Sequence, residues 1–250
     1  ASQHENDLNS GANLDLDEYA RSGQMVWRDS VRLREHFDYL TLRIEPYVAG
    51  DLSWKRLRLQ FDYGLQLYGR RLNNEEHRQP MQLRQAYPVG NSTMTWQINA
   101  RHRLFLENTL SVSHPDYFKI CWYERTGGYL NQLYRGNEKL LSTSTDKYAL
   151  GYEFKPKRFR SRTTLAMTRK TNEVEQTWSN QEIEGRLYKV FTWFNAADSW
   201  TFGATERLDW EGKLLTARLE LTYNQTLRTV RETGATKRTF DWNLTSGVTA

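Results

Sequence analysis

The sequence predicts an all-β chain, an antiparallel up-and-down meander of about eleven long strands. Three observations carry that expectation. Apolar residues recur at every second position in segment after segment. No helical pattern stands between those segments, as a parallel βαβ chain would need. Short and long connections alternate along the chain.

The clearest segment is Leu57, Leu59, Phe61, Tyr63, Leu65 and Leu67, interleaved with Arg58, Gln60, Asp62, Gly64 and Gln66. Successive side chains of a strand face opposite ways, so this spacing gives one apolar and one polar face. A helix would scatter the same residues around its cylinder. Before it, Leu40, Leu42 and Ile44 alternate with Thr41 and Arg43, and Val26–Leu33 is a weaker segment. After it come Met94–Ala100, Leu104–Val112 and Tyr148–Phe154. Leu165 and Met167 mark a strand within Arg160–Arg169, and Leu187–Phe194 is an aromatic run. Trp200–Ala204, Leu215–Tyr223 and Phe240–Leu244 close the series. Tight turns are expected at Lys155–Arg158, Asn195–Ser199 and Trp210–Lys213. Longer links are expected at Arg70–Thr93, His114–Lys147, Lys170–Glu182 and Leu227–Arg238. Residues 1–24, rich in Asn and Asp, read as a polar lead-in or loop. Residues 25–250 read as one β-barrel-like domain with a long loop over 114–147.

Composition narrows the class. The chain has 250 residues, 13% of them aromatic, which is too aromatic and too patterned for a disordered tail. No apolar run approaches the ~20 residues of a membrane helix. A single Cys excludes an internal disulfide framework and a Cys-rich zinc site. The net charge of +5 is mild and spread along the chain, so nucleic acid is not an expected partner. No signal peptide is visible at Ala1–His4.

Alternation alone fits a soluble sandwich or barrel, apolar face inward, or an outer-membrane-type barrel, apolar face toward lipid. Three features favour the membrane. Lys55–Tyr68 is longer than the ~5–6 residues of a typical soluble strand. The polar face carries Arg58, Asp62, Arg218 and Glu220 in mid-strand, as a wet lumen permits. Aromatics such as Tyr47, Tyr68, Tyr152, Trp193, Trp200 and Trp210 sit near strand ends, where barrels carry their girdles.

Ser111-Val112-Ser113-His114-Pro115-Asp116-Tyr117 resembles the Ser-x-Ser…Pro-x-Tyr segment of TonB-dependent outer-membrane receptors of the Bacteroidetes type. Gly136-Asn137-Glu138-Lys139-Leu140, then Ser144, then Tyr148-Ala149-Leu150-Gly151-Tyr152-Glu153-Phe154, resembles that family's Gly-Asn-Pro-x-Leu…Ser…Tyr-Glu-Leu-Gly-Tyr-Glu-Phe block. Glu138 stands where the family has Pro, and Ala149 where it has Glu. The match spans about Gln85 to Phe159, including the hairpin turning at Ala100-Arg101-His102. The resemblance implies a barrel that takes up a bulky ligand across the bacterial outer membrane with energy passed from the inner membrane. It implies outer-membrane lipid as a partner, and TonB as a partner only through a plug that is not seen in this chain. The family barrel has about 22 strands, so about eleven imply a barrel region or part of one.

No phosphate loop, His-Glu-x-x-His or Gly-x-Ser-x-Gly motif occurs, and no enzyme activity, metal or cofactor is expected. His4, His36, His77, His102 and His114 have no short ligand spacing and read as surface residues. Cys121 reads as a buried or loop thiol. The long loop holds the candidate ligand-binding residues: Tyr117, Trp122, Tyr123, Arg125, Tyr129, Tyr134 and Arg135. Aromatic faces with Arg hold a sugar or peptide by stacking and cation–π contact. The alternative reading is a soluble, secreted or periplasmic all-β module binding carbohydrate or protein.

Overall fold

The computed structural model describes residues 3–5, 37–74, 81–120, 124–126, 132–183 and 185–249. The expected weak strand at Val26–Leu33 lies outside them, as do most of the polar lead-in and Cys121. Along the chain run β1 (Gln3–Glu5), β2 (Phe37–Ile44), β3 (Tyr47–Trp54), β4 (Leu57–Asn74), β5 (Met81–Gln97) and β6 (His102–Ser113). A single helical turn, α1 (Tyr117–Ile120), and a small hairpin, β7 (Glu124–Thr126) with β8 (Gln132–Arg135), follow. The series ends with β9 (Thr143–Phe154), β10 (Phe159–Ile183), β11 (Arg186–Glu211), β12 (Thr216–Val230) and β13 (Thr236–Thr249).

The architecture is an antiparallel meander, in the order β1-β2-β4-β5-β6-β9-β10-β11-β12-β13. β3 lies beside β4, continuing the line of β2. Ile44 faces Leu67 and Tyr47 faces Gly64, so the register runs unbroken past Glu45 and Pro46. Pro46 has no N–H to give a ladder, which suits this flanking position. Its carbonyl accepts from the Leu65 N–H at 3.1 Å.

Register sorts the side chains into two faces. One rung reads Leu52, Leu59, Met94, Leu106, Leu150, Leu165, Ala204, Tyr223, Trp242 across nine strands. A rung of the opposite face reads Arg58, Thr95, Phe105, Gly151, Thr164, Thr205, Thr222, Asn243. The apolar face is the exposed one: Leu150 is 50% exposed, Leu165 55% and Trp242 67%. A soluble sandwich would bury these residues. The polar face instead holds what is buried in mid-sheet. The Phe105 ring covers Gly151, where a Cβ would lie 1.8 Å from it. The Arg162 guanidinium sits 4.2 Å above the same ring.

Four connections at one end are short: Lys55–Arg56, Ile98–Arg101, Lys155–Arg158 and Gly212–Leu215. At the other end lies the long connection between β6 and β9, and β10 and β11 project beyond their neighbours.

Several expected loops are strands. Asn195–Ser199 is the interior of β11, not a turn, and Lys170–Glu182 belongs to β10. Two opposed bulges explain the misreading. One extra residue enters β10 between Lys170 and Glu173, with Asn172 at φ 59°. One extra residue enters β11 between Asn195 and Ala197. Turn-forming side chains stitch this irregularity instead of turning the chain. Asp198 accepts from the Asn172 N–H at 2.8 Å, and Asn195 donates to the Asn172 carbonyl at 2.9 Å. The expected long links Arg70–Thr93 and Leu227–Arg238 are also largely strand, and Tyr47–Trp54 is a strand that alternation did not mark.

Candidate functional site

The β6–β9 connection is tied to the polar face where it leaves and where it returns. Pro115 ends β6 and turns His114 onto the sheet. The His114 ring stacks on Tyr68, centroids 3.6 Å apart and planes within 7°. Arg43 donates to the Gln66 amide oxygen, and the Gln66 amide donates to His114 Nε2 at 2.8 Å. His114 Nδ1 donates to Ser142 Oγ at 2.7 Å, and the Ser142 hydroxyl donates to Gln85 Oε1 at 2.7 Å. The Tyr87 hydroxyl donates to the same Gln85 oxygen at 2.7 Å. Every donor in this chain of bonds has an acceptor, so Gln66 and Ser142 are buried at 2% and 1% exposure without orphaned polar atoms. His114 is thus a bridge between wall and connection, not the surface residue that its sequence spacing suggests.

Beneath this network the polar face opens into a hollow of about 550 Å³. Arg43, Asp62, Gln66, Asn91, Thr109 and Ser111 present both charge signs and neutral hydrogen-bonding groups to it. Gly64 and Gly90 keep the wall open: a Cβ on Gly90 would lie 2.2 Å from the Asp62 carbonyl oxygen, and its φ is +141°.

The connection then crosses to β11. Among the described residues, its fully buried apolar side chains are Ile120 and Leu140, with Val190 of β11 at 2% exposure. β8 joins β11 in parallel, placing Leu133 beside Val190 and Tyr134 beside Phe191. Tyr134 stacks on Phe191 at 5.1 Å and on Trp193 at 6.1 Å. Lys189 Nζ lies 4.1 Å from the Trp178 ring and 5.2 Å from Phe191. Arg135 Nη1 donates to Gln181 Oε1 at 3.2 Å.

Of the seven residues selected from sequence, Tyr134 and Arg135 meet the projecting β10–β11 hairpin. Arg125 stands opposite Tyr134 in the β7–β8 pairing, and Tyr117 opens α1. Trp122, Tyr123 and Tyr129 lie outside the described residues. Sequence reasoning missed Phe191 and Trp193 as partners of Tyr134, and Trp178 with Lys189 beside Phe191. The aromatic density of Leu187–Phe194 was the available signal. It also missed the hollow and the His114 network, whose members come from five separate segments.

An exposed apolar face, a hydrogen-bonding opposite face, short turns at one end, and a long connection with a projecting hairpin at the other define a wall of outer-membrane β-barrel type. The sheet is similar to the barrels of TonB-dependent receptors. Against the siderophore receptor PirA from Pseudomonas aeruginosa the TM-score is 0.51 at 12% identity, covering 86% of this chain and 51% of that one. Against the copper transporter OprC it is 0.50 at 11% identity, covering 84% of this chain and 32% of that one. The chain therefore spans about half the length of the first and a third of the second, and the likeness is one of fold. No protein-family model and no curated protein matches the chain.

Proposed function

We propose that this chain forms barrel wall of a TonB-dependent outer-membrane receptor and serves ligand uptake across the outer membrane, not catalysis. The observation that carries the reading is the exposed apolar rung from Leu52 to Trp242, backed by a polar face. Such a sheet is stable with lipid on one side and water on the other. TonB acts on such a receptor through a plug, and outer-membrane lipid covers the apolar face. On this reading the long-connection end faces outward from the cell. Its aromatic and Arg side chains, Tyr134 and Arg135 with Tyr117, Trp122, Tyr123, Arg125 and Tyr129, make first contact with ligand. The hollow below His114 carries cationic, anionic and neutral polar groups, which supports a polar organic ligand such as a carbohydrate or peptide.

The test is the behaviour of the chain with and without detergent. Expression in buffer is expected to give aggregate, and refolding into detergent a monodisperse β-rich species by size exclusion and far-UV circular dichroism. A monodisperse β-rich species in plain buffer would overturn the lipid-facing reading and turn attention to soluble glycan binding.

A further inference from the structure

The four short turns share a pattern that an uptake pathway does not require. Together they hold seven cations and no carboxylate. Each follows closely on an aromatic residue of the apolar face. Trp54 runs directly into Lys55 and Arg56, and Phe154 into Lys155. Trp96 precedes the turn that ends in Arg101, and Trp210 the turn that carries Lys213. Register puts Trp54, Leu57, Trp96, Leu104 and Tyr152 on one rung of that face. Trp54 is 70% exposed, Trp96 48% and Trp210 47%.

One of these cations has a polar partner within the protein: Arg56 Nη1 donates to the Ile98 carbonyl at 2.5 Å and so links two of the turns. Among the described residues none of the seven pairs with a carboxylate. Lys55 lies 5.7 Å from the Trp54 ring, on the apolar side of the sheet. Lys157 holds a left-handed backbone at φ 38° at the tip of its turn. Leu214, in the last turn, is 86% exposed, an apolar residue at the level of the charges. The carboxylates Glu153 and Asp209 of the polar face just inside are already taken by strand arginines, two to each. Glu153 there takes Arg103 at 3.0 Å and Arg160, and Asp209 takes Arg207 at 3.0 Å and Arg218 at 2.8 Å. The opposite end is mixed: residues 114–142 hold four cations and three carboxylates, and residues 231–235 one of each.

Trp210 and Trp200 bound the apolar stretch of β11. Ten residues at ~3.3 Å rise, tilted ~40°, span about 25 Å, the height of a barrel's lipid band. The turns therefore fall just past the end of the hydrocarbon, where long cationic side chains reach phosphate and aromatic rings fill the boundary.

We propose that the short-turn end is a collar that binds anionic phospholipid headgroups. Each turn offers an aromatic ring at the glycerol level and a Lys or Arg at the phosphate. This inference rests on the lipid-facing reading above and specifies the lipid. Charge complementarity and continuity with the apolar band select lipid over an acidic protein: the cations lie in a row along one end of the sheet, turn after turn beyond the apolar band, not in a single patch.

The test uses the full chain reconstituted in phosphatidylcholine bilayers with spin-labelled phosphatidylglycerol or phosphatidylcholine as probe. The expected result is that both labels are immobilised at the protein surface, with about a threefold or greater preference for phosphatidylglycerol. That preference falls toward unity at high salt and in Lys55→Gln/Lys155→Gln/Lys157→Gln/Lys213→Gln, and survives in Lys139→Gln at the other end. Circular dichroism checks that each variant is folded, and Arg101→Gln alone provides a milder variant. Equal immobilisation of the two labels would overturn the collar and leave the lipid-facing reading standing. Immobilisation of neither would overturn both. A preference that persists at high salt or in the quadruple variant would also overturn the collar, because it would not be Coulombic.

Discussion

At the short-turn end, Arg103, Glu153 and Arg160 join β6, β9 and β10 within one strand width, and neighbouring residues supply the bonds. At the long-connection end, His114 joins segments up to 48 residues apart through one imidazole. The first arrangement follows from register, since Arg103 already stands opposite Glu153 in the ladder. The second depends on a loop returning to place. The difference teaches that the same sheet is stiff where pairing dictates contacts and adjustable where a connection must be pinned. On the function proposed above, this suits a wall held firmly at its short-turn end and open to ligand at the other.

The largest expected effect breaks the stiff end. Glu153→Ala leaves Arg103 and Arg160 facing each other around a site whose carboxylate is 10% exposed. Urea unfolding in detergent should show a loss of about 2–3 kcal/mol, toward the low side for a buried pair because both guanidinia reach solvent. Gly151→Val tests the same end by packing. Its Cβ would enter the Phe105 ring, and the expected cost is about 1–3 kcal/mol in the same measurement. At the adjustable end, His114→Ala should cost only about 1 kcal/mol globally. Its main effect is local: proteolysis within the β6–β9 connection should quicken about fivefold or more. The smallest effect is expected for Arg231→Ala, which removes an exposed pair with Asp198 at 2.8 Å and should cost less than about 0.5 kcal/mol. Equal costs for Glu153→Ala and His114→Ala would erase the contrast between the ends.

Much of this was legible in the sequence, for a physical reason. In β4, β9 and β12 one face is apolar and exposed and the other polar, so chemistry alternates along each strand and the pattern survives in the letters. β3 was missed because Ala49, Gly50 and Asp51 interrupt its pattern; Gly50 leaves room for the Phe61 ring, 2.7 Å from where a Cβ would stand. The far half of β10, with Asn172, Glu173, Glu175, Gln176, Thr177, Ser179 and Asn180, is polar on both faces. There it has left β9 and pairs only with β11, and a hairpin standing clear of the sheet has no reason to alternate. The candidate site was only half legible. Tyr134 and Arg135 announce themselves by type, but the Gln66–His114–Ser142–Gln85 chain joins residues that no spacing rule connects.

The paired bulges at Asn172 and Ala196 behave like two compensating frameshifts. Below them Lys170 faces Ser199, above them Val174 faces Asn195, and the two partner sums agree again. Losing either inserted residue alone would slide every rung above it by one. Trp178 would then meet a neighbour of Phe191 whose side chain belongs to the other face, and the Trp178–Lys189–Phe191 cluster would come apart. Losing both would leave partners and faces as they are. The projecting hairpin can therefore lengthen or shorten over evolutionary time only in matched steps, one residue from each strand, and its ancestry should be read from such coupled gaps.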